Sequence, residues 1–198
     1  MLVLASGSPR RKELLETMGL RDFTILKPDF DEASVPLCPP KQLVKTLSRG
    51  KAAAAAEQLC DPQALILAAD TVVALDGRVL GKPSSPEMAR RMLRDLSGRT
   101  HLVYTGFTLR RGNRVLTSWE VTEVTFRSLT PGEIDAYIAT GEPMDKAGAY
   151  GIQGLGSLLV EGIHGDYFNV VGLPVCRLGR MLSLFGVDCL TGAGRELP

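Results

Sequence analysis

The sequence has few of the residues that build metal, disulfide or membrane sites. Its 198 residues include two histidines and four cysteines, and the cysteines are scattered without a Cys-x-x-Cys pair. This spacing argues against zinc and disulfide frameworks and favours a reducing, cytoplasmic location. No run approaches the roughly 20 apolar residues of a membrane span, and the opening apolar run is too short for a signal peptide. We therefore expect no membrane partner.

An excess of charge of either sign is also missing. Lys and Arg number 23 against 22 Asp and Glu, a formal net charge of +1, which predicts no nucleic-acid partner. An anionic ligand must then be met by a local cluster of cations. The apolar fraction of 44% is enough for a sizeable core. The length suits a single two-lobed domain, expected over residues 1–186 with a tail at 187–198.

Familiar motifs for nucleophiles and nucleotide loops are absent as well. There is no Gly-x-Ser-x-Gly elbow, and the Gly-Lys-Pro sequence at residues 81–83 lacks the glycine loop of a Walker A motif. The glycine-rich stretch at 148–156 does not match a dinucleotide-binding fingerprint. Covalent catalysis and these nucleotide folds are therefore disfavoured.

Hydrophobic periodicity is what the sequence does have, and it predicts alternating strands and helices. Strands are expected at residues 2–5, 23–26, 64–69, 72–75, 78–80, 100–110 and 114–126, and helices near 9–19, 41–59, 86–96, 130–140 and 174–185. The Asp-Gly pair at residues 76–77 predicts a type I′ hairpin turn.

The first strand leads through a Ser-Gly-Ser turn into the first helix. Ser8 is the expected N-cap, and Pro9 suits the first helical turn. Arg10 and Arg11 add two guanidinium groups to a helix N-terminus that already favours anions. A phosphate site and an ordinary strand–helix connection with solvated arginines both remain open.

Two acids are candidates for holding a cation. Asp70 is expected at the end of an apolar strand, where an unpaired carboxylate would need a cationic partner. The alternative is an aspartate that caps or turns residues 70–73. Glu32 is the best second acid, because hard cations bind carboxylate oxygens, and this set favours Mg²⁺ or Mn²⁺ over zinc.

A lysine lies on the apolar side of the long second helix. Helical spacing puts Lys51 on the same face as Val44, Leu47 and Ala54. It either extends past the core edge to solvent or points at an anion. With Lys82, Lys146 and Asp145 in loops, these residues suit metal-assisted hydrolysis of a phosphoanhydride.

Six motifs together resemble the Maf family, in order and at family spacing up to about residue 185. They are Leu-Ala-Ser-Gly-Ser-Pro-Arg-Arg at 4–11, Ala-Asp-Thr-Val-Val at 69–73, Gly-Lys-Pro at 81–83, Leu-Ser-Gly at 96–98, Gly-Glu-Pro-Met-Asp-Lys-Ala-Gly-Ala-Tyr-Gly-Ile-Gln-Gly at 141–154, and the closing segment 160–174 with Asn-Val-Val-Gly-Leu-Pro at 169–174. The resemblance implies an α/β fold with a long, twisted mixed sheet flanked by helices, and two lobes around a central cleft, as in inosine triphosphatases.

The resemblance also implies nucleoside triphosphate pyrophosphatase activity and, frequently, a homodimer. The position matching Asp70 is taken in such enzymes as the proton acceptor. Other positions that line the site match Ser8, Arg11, Glu32, Lys51, Lys82 and Asp145. We further expect Asp70 with Glu32 to hold the cation, with Lys146 on the substrate.

Within the family that the sequence resembles, three positions distinguish branches that act on substrates with different nucleobases. Arg10, Thr71 and Gln153 match the branch acting on dTTP and UTP. The rival preference is 7-methyl-GTP, or a modified pyrimidine nucleotide. A rival of another class is a nucleotide-binding regulator of cell division or septum formation with little catalysis.

Overall fold

The computed structural model describes residues 1–191 and has a single mixed sheet with six helices in that part. The strands are β1 (Leu2–Ala5), β2 (Phe23–Ile25), β3 (Leu65–Leu75), β4 (Arg78–Leu80), β5 (Thr100–Arg111), β6 (Arg114–Phe126) and β7 (Val160–His164). The helices are α1 (Pro9–Thr17), α2 (Pro40–Leu59), α3 (Pro86–Leu96), α4 (Pro131–Ala139), α5 (Tyr167–Val171) and α6 (Val175–Ser183). The sheet order is β2-β1-β3-β5-β6-β7, with β4 paired to β3, so the predicted α/β class with a long mixed sheet is confirmed.

The chain divides into two compact units. The first unit contains Met1–Asp70, Thr105–Glu120 and the described residues from Gly172 onward. The second unit contains Thr71–Tyr104 and Val121–Val171. Strands β3, β5 and β6 each contribute residues to both units. Whether the whole behaves as one domain with a C-terminal tail stays a prediction, and residues 192–198 of that tail lie outside the described part.

The parallel part of the sheet is built from continuous apolar runs. Strand β1 pairs in parallel with both β2 and β3, and its last pair is Ala5 with Ala68. Strand β3 was expected to end at Asp70, but it is one strand of 11 residues and Asp70 lies inside it. The prediction failed because β3 goes on to pair with β4 beyond the point where β1 stops. Asp70 therefore lies two residues past the last partner on β1.

Helix α2 packs against this parallel part through small residues. Ala52 and Ala55 are buried together with Val3, Ile66 and Ala68. The buried stripe runs through Ala52 and Ala55, and the predicted Ala54 is only partly buried. The alanine run therefore allows close packing of the helix on the sheet, besides giving helix propensity.

A close backbone approach also holds α2 at β5. A Cβ on Gly106 would collide with the backbone carbonyl of Val44. Only glycine permits this approach, which helps to set the position from which Lys51 projects.

The second unit has its own core and well-capped helices. Buried residues of its core include Leu93, Phe126, Ile134 and Tyr150. Helix α4 begins with a capping box, in which the side chains of Thr130 and Glu133 each bond to the other's backbone N–H. The type I′ turn is confirmed, because Asp76 and Gly77 have φ of +50° and +78°.

Some elements were not predicted. Strand β7, helix α5 and four 3₁₀ segments fall in stretches for which no strand or helix is predicted from the sequence. The 3₁₀ segments are Glu32–Ser34, Glu142–Asp145, Ala147–Ala149 and Gly154–Leu159. Two of the predicted site residues, Glu32 and Asp145, lie in these short segments, and Lys146 and Gln153 flank them. Within residues 1–191, no helix has the length and apolar character needed to cross a bilayer.

Candidate active site

The turn between β1 and α1 has the local geometry predicted for an anion site. Ser8 is the N-cap residue of α1, and Pro9 begins the helix. The Ser8 side chain makes no capping hydrogen bond, so the first helical N–H groups lack a side-chain cap. Such a helix N-terminus favours a negatively charged group. Arg10 lies in the same first turn and is partly buried.

Arg11 is tied into the first unit by its guanidinium. Its Nε donates to the backbone oxygen of Gly172 and its Nη1 donates to Ser6 Oγ, both at 3.0 Å. Burial lowers the pKa of Arg11, and the negative charges of Asp70 and Glu32 act in the opposite direction. Two of its donors are thus used within the chain, and its charge lies in the field of both acids.

Asp70, Glu32 and Lys51 meet at one point in the first unit. Lys51 Nζ lies 2.5 Å from Asp70 Oδ1 and 2.9 Å from Glu32 Oε1. The side chains of Lys51 and Asp70 are 12% and 11% exposed, whereas that of Glu32 is 58% exposed. Lys51 therefore points at anions and not past the core edge to solvent. The alternative in which Asp70 turns the chain is wrong, because β3 continues through it.

The 3₁₀ segment Glu32–Ser34 brings Glu32 to this point. Asp31 is its N-cap residue, and its side chain accepts a hydrogen bond from the Ala33 N–H at 3.0 Å. The 3₁₀ turn gives the Glu32 side chain a short, locally stabilised stretch of backbone in an otherwise irregular loop. Glu32 thus reaches a lysine on α2 from a loop that sequence periodicity leaves undefined.

The acid pair has donors for a magnesium-type ion but is not a complete metal cage. Such ions use one or two carboxylates and take other ligands from water and substrate phosphates. Asp70 and Glu32 supply two carboxylates, and Lys51 contacts one oxygen of each. Among residues 1–191, no three His, Cys, Asp or Glu side chains are grouped as metal ligands. These residues fit a cation held partly by the substrate.

In the second unit, the Gly-Lys-Pro segment is tied to the glycine-rich segment. The N–H of Gly148 donates to the backbone oxygen of Gly81 at 3.0 Å. Gly148 has a φ of +70°, and a Cβ there would lie 3.0 Å from the Val73 side chain, so glycine is required. Lys82 follows Gly81 directly and is exposed. The structure thus brings the segment of Lys82 to the segment that carries Asp145 and Lys146.

Asp145 and Lys146 contact each other. Lys146 Nζ donates to Asp145 Oδ1 and to the backbone oxygen of Glu142, both at 2.7 Å. The Lys146 side chain is 15% exposed, whereas that of Asp145 is 68% exposed. Gln153 is exposed immediately before the 3₁₀ segment Gly154–Leu159. Thr71 follows Asp70 in β3 and is partly buried.

The structure connects three further polar residues, Ser6, Tyr137 and Glu142, to predicted site residues, although none of the three is predicted as a site residue from the sequence. Ser6 Oγ accepts hydrogen bonds from Arg11 and from the Ser8 N–H. The Tyr137 hydroxyl donates to Glu142, whose carboxylate binds the segment after Gln153. Ser6 and Glu142 lie in the quoted motifs, which is the signal that was available. A motif does not tell which of its polar side chains turn inward.

Comparison with known proteins gives one consistent result. A sequence model described as Maf-like protein matches residues 1–185. The dTTP/UTP pyrophosphatase of Moorella thermoacetica is 57% identical over 190 residues, which cover 94% of this chain and 96% of that protein. The dTTP/UTP pyrophosphatase of Bacillus cereus is 50% identical over 187 residues, with coverage of 94% and 96%.

Two solved structures are similar at a lower level. The nucleoside-triphosphatase / dITP/XTP pyrophosphatase from Mycobacterium abscessus is 13% identical, with a TM-score of 0.46 and coverage of 93% of this chain and 97% of that chain. The HAM1 protein from Coxiella burnetii is 20% identical, with a TM-score of 0.45 and coverage of 63% and 72%. Likenesses at this level do not bear on the activity.

The fold and the site define an α/β protein in which Lys51, Asp70 and Glu32 form an acid–lysine cluster, and in which a strand–turn–helix connection leaves the N-terminus of α1 without a side-chain cap. The chain belongs to the Maf family, since the family match spans residues 1–185 and the relatives are 50% and 57% identical over nearly all of their length.

Proposed function

We propose that this protein is a nucleoside triphosphate pyrophosphatase that hydrolyses dTTP and UTP to the nucleoside monophosphate and pyrophosphate. The observation that carries the proposal is the contact of Lys51 with Asp70 and Glu32, at 2.5 and 2.9 Å. Two acids and a lysine at one point suit hydrolysis better than simple binding, because a phosphate site alone has no use for carboxylates. The names of the relatives support the same activity.

Asp70 is the general base of the proposed mechanism. Its carboxylate takes a proton from a water molecule as the water oxygen bonds to the α-phosphorus. The bond from the α-phosphorus to the oxygen that bridges to the β-phosphorus breaks, and pyrophosphate leaves with the electron pair. General-base catalysis of this kind contributes about 10²- to 10⁴-fold in rate.

The cations offset the charge of the triphosphate. Lys51 lies beside Asp70 and stabilises negative charge there, while Arg11 extends the positive field from α1. Ser8 and the uncapped N-terminus of α1 are proposed phosphate ligands. Lys82 is likewise proposed to offset charge on the phosphates and on the pyrophosphate leaving group, and Asp145 and Lys146 are proposed substrate ligands.

A divalent cation, Mg²⁺ or Mn²⁺, is proposed as cofactor. Asp70 and Glu32 are the residues that would hold it. When bound, such an ion supplies charge neutralisation on the phosphates. The remaining coordination is left to water and substrate oxygens, as the donor set requires.

Base preference is assigned to Arg10, Thr71 and Gln153. The exposed Gln153 amide has both a donor and an acceptor, which suits the O4 and N3–H edge of uracil or thymine. A panel of triphosphates tests this assignment. Faster turnover of 7-methyl-GTP than of dTTP and UTP would contradict it. A homodimer and a cytoplasmic location complete the proposal.

Product analysis tests the reaction type. We expect the protein with dTTP and Mg²⁺ or Mn²⁺ to release dTMP and pyrophosphate. Release of dTDP and phosphate would instead mean attack at the γ-phosphorus and would overturn the proposal. Binding of dTTP without any hydrolysis would favour the nucleotide-binding regulator.

Substitution of Asp70 tests the mechanism. We expect Asp70→Asn to lower kcat by about 10²- to 10⁴-fold, because the amide cannot accept the proton, while dTTP binding by calorimetry persists. Asp135→Asn is the control, since this acid pairs with Arg90 through a carboxylate that is 54% exposed. The control should keep its activity. An Asp70→Asn enzyme as fast as the parent would exclude Asp70 as the base.

A further inference from the structure

The segment that carries Gln153 is attached at one side to helix α4. The Tyr137 hydroxyl accepts a hydrogen bond from the Gly151 N–H at 3.2 Å and donates one to Glu142 Oε1 at 2.9 Å. Tyr137 itself is 5% exposed and belongs to the core of the second unit. Gly151 is therefore held by a side chain that cannot easily move.

The same segment is attached at its other side to Glu142. Glu142 Oε1 also accepts a hydrogen bond from the Gly156 N–H, and Glu142 Oε2 accepts one from the Leu155 N–H, both at 3.0 Å. Partial burial acts to raise the Glu142 pKa, but hydrogen bonds from Gly156, Tyr137 and Leu155 outweigh it and leave the pKa lowered. Glu142 therefore binds three donors as a carboxylate, which is an acceptor only.

The glycines of the segment make this attachment possible. A Cβ on Gly154 would lie 2.8 Å from Glu142 Oε2, and one on Gly156 would lie 2.6 Å from the Tyr137 hydroxyl. A Cβ on Gly151 would lie 2.8 Å from the Lys146 side chain. The backbone on both sides of Gln153 is thus packed closely, while residue 153 itself is exposed. This arrangement holds the backbone in place while the side chain of Gln153 is exposed.

We infer that Glu142, together with Tyr137, is a positioning residue for base selection, because it holds the segment 151–156 that presents Gln153. The inference rests on the proposed function, in which Gln153 contacts the base. Discrimination between nucleobases by hydrogen bonds requires that the donors and acceptors of the protein are placed accurately. Neighbouring side chains that hold the contacting residue in place provide that accuracy. Glu142 acts through the backbone and does not touch the substrate in this role.

The test is the ratio of kcat/KM for dTTP to kcat/KM for GTP. We expect Glu142→Gln to lower this ratio by roughly tenfold, mainly through a higher KM for dTTP, because a glutamine amide cannot accept from all three donors. Glu133→Gln is the matched control, since Glu133 also accepts three hydrogen bonds in the second unit, from Arg127 and Thr130. It should reduce stability and leave the ratio unchanged.

Tyr137→Phe is the second variant, and it keeps the ring while removing the hydroxyl. We expect it to lower the ratio in the same direction as Glu142→Gln. Adding Glu142→Gln to Gln153→Ala should lower the ratio no further, because the positioned side chain is already gone. Equal losses in Glu142→Gln and Glu133→Gln, or an unchanged ratio in both Glu142→Gln and Tyr137→Phe, would overturn the inference.

Failure of the proposed function has a different signature. If the wild-type protein does not hydrolyse dTTP, the proposed activity itself is wrong. If the wild-type protein hydrolyses dTTP but Gln153→Ala does not change the ratio, Gln153 does not contact the nucleobase. The inference about Glu142 is then wrong as well. If Gln153→Ala lowers the ratio but the Glu142 and Tyr137 variants do not, the inference is wrong and the proposed function stands.

Discussion

At the scale of single residues, Lys51 governs the electrostatics of the acid cluster. It contacts two carboxylates in different surroundings, since Asp70 is 11% exposed and Glu32 is 58% exposed. An exposed ion pair contributes about 0–1 kcal/mol, whereas a buried charge that loses its partner is strongly destabilising. The two contacts are therefore expected to contribute unequally to stability.

Removal of the lysine charge tests this inequality. Lys51→Met keeps the length of the side chain but leaves the buried Asp70 carboxylate without its cation. We expect the free energy of unfolding to fall by about 3 kcal/mol. Glu32→Gln should change the free energy of unfolding by less than about 1 kcal/mol, because that partner is exposed. Urea unfolding followed by circular dichroism measures both values.

The double variant Lys51→Met/Asp70→Leu is the control for this prediction. It removes both buried charges, so most of the lost stability should return while activity stays absent. A loss of stability in Glu32→Gln as large as that in Lys51→Met would mean that burial does not decide the strength of these contacts.

At the scale of elements, helix α2 also supports the loop that carries Glu32. Gly50 lies in the helix interior, where a Cβ would collide with the ring of Phe30. Phe30 precedes Glu32 by two residues, and Gly50 precedes Lys51 directly. The ring and the glycine thus hold the loop against the helix beside the acid–lysine contact. A cavity of about 580 Å³ next to Phe30 gives the ring space into which to move.

Gly50→Ala tests this support. Alanine raises the helix propensity by about 1 kcal/mol, so the variant should fold. The methyl group should push Phe30 into the cavity and displace Glu32, and we expect kcat/KM to fall by roughly tenfold. Steady-state kinetics with dTTP and thermal unfolding give the two readouts.

Gly179→Ala is the matched control within helix α6. A Cβ there would meet only Met18 Cε, at an ordinary 3.9 Å, so activity should be unchanged. The pair Gly50→Ala/Phe30→Ala makes room for the methyl group and should recover part of the activity. Full activity in Gly50→Ala alone would show that the ring does not position Glu32.

At the scale of the whole molecule, His101 makes stability depend on pH. It is buried in β5, with Nε2 2.7 Å from the Tyr150 hydroxyl. Burial lowers its pKa from 6.5 to about 4. Between these two values the unfolded chain binds a proton that the folded chain does not, so stability falls as the pH drops from 6.5 to 4. The size of the shift corresponds to about 3 kcal/mol.

His101→Gln removes this titration and keeps a polar partner for Tyr150. We expect the free energy of unfolding of the variant to be nearly flat between pH 6.5 and 4.5, where the parent loses stability. Below that range both proteins should lose stability through Glu133. The hydrogen bond from Arg127 to Glu133, with further ones from Thr130, lowers the pKa of Glu133 from 4.5 to about 2. The contribution of Glu133 to the free energy of unfolding therefore disappears as the pH falls from 4.5 to about 2. Equal slopes for both proteins above pH 4.5 would exclude His101 as the source.

Most elements follow from local pattern. The predicted helix at residues 86–96 and the hairpin turn at Asp76 match the structure because capping and turn chemistry involve near neighbours. The continuation of β3 through Asp70 does not follow, because a polar residue breaks an apolar run whether or not the strand ends there. The 3₁₀ segments escape prediction because each is too short to show a period.

The sequence by itself determined the order of most elements, the motifs, and through them the family and the set of predicted site residues. Only the tertiary structure decided which of those residues meet. Lys51 and Asp70 are 19 residues apart and come into contact because alanines let α2 pack closely on the parallel strands. Likewise, Glu142 is a motif residue in the sequence, but its role depends on the inward turn of its carboxylate toward Tyr137 and Gly156. Periodicity records which face of an element is buried, whereas contacts across the chain depend on how closely those faces pack.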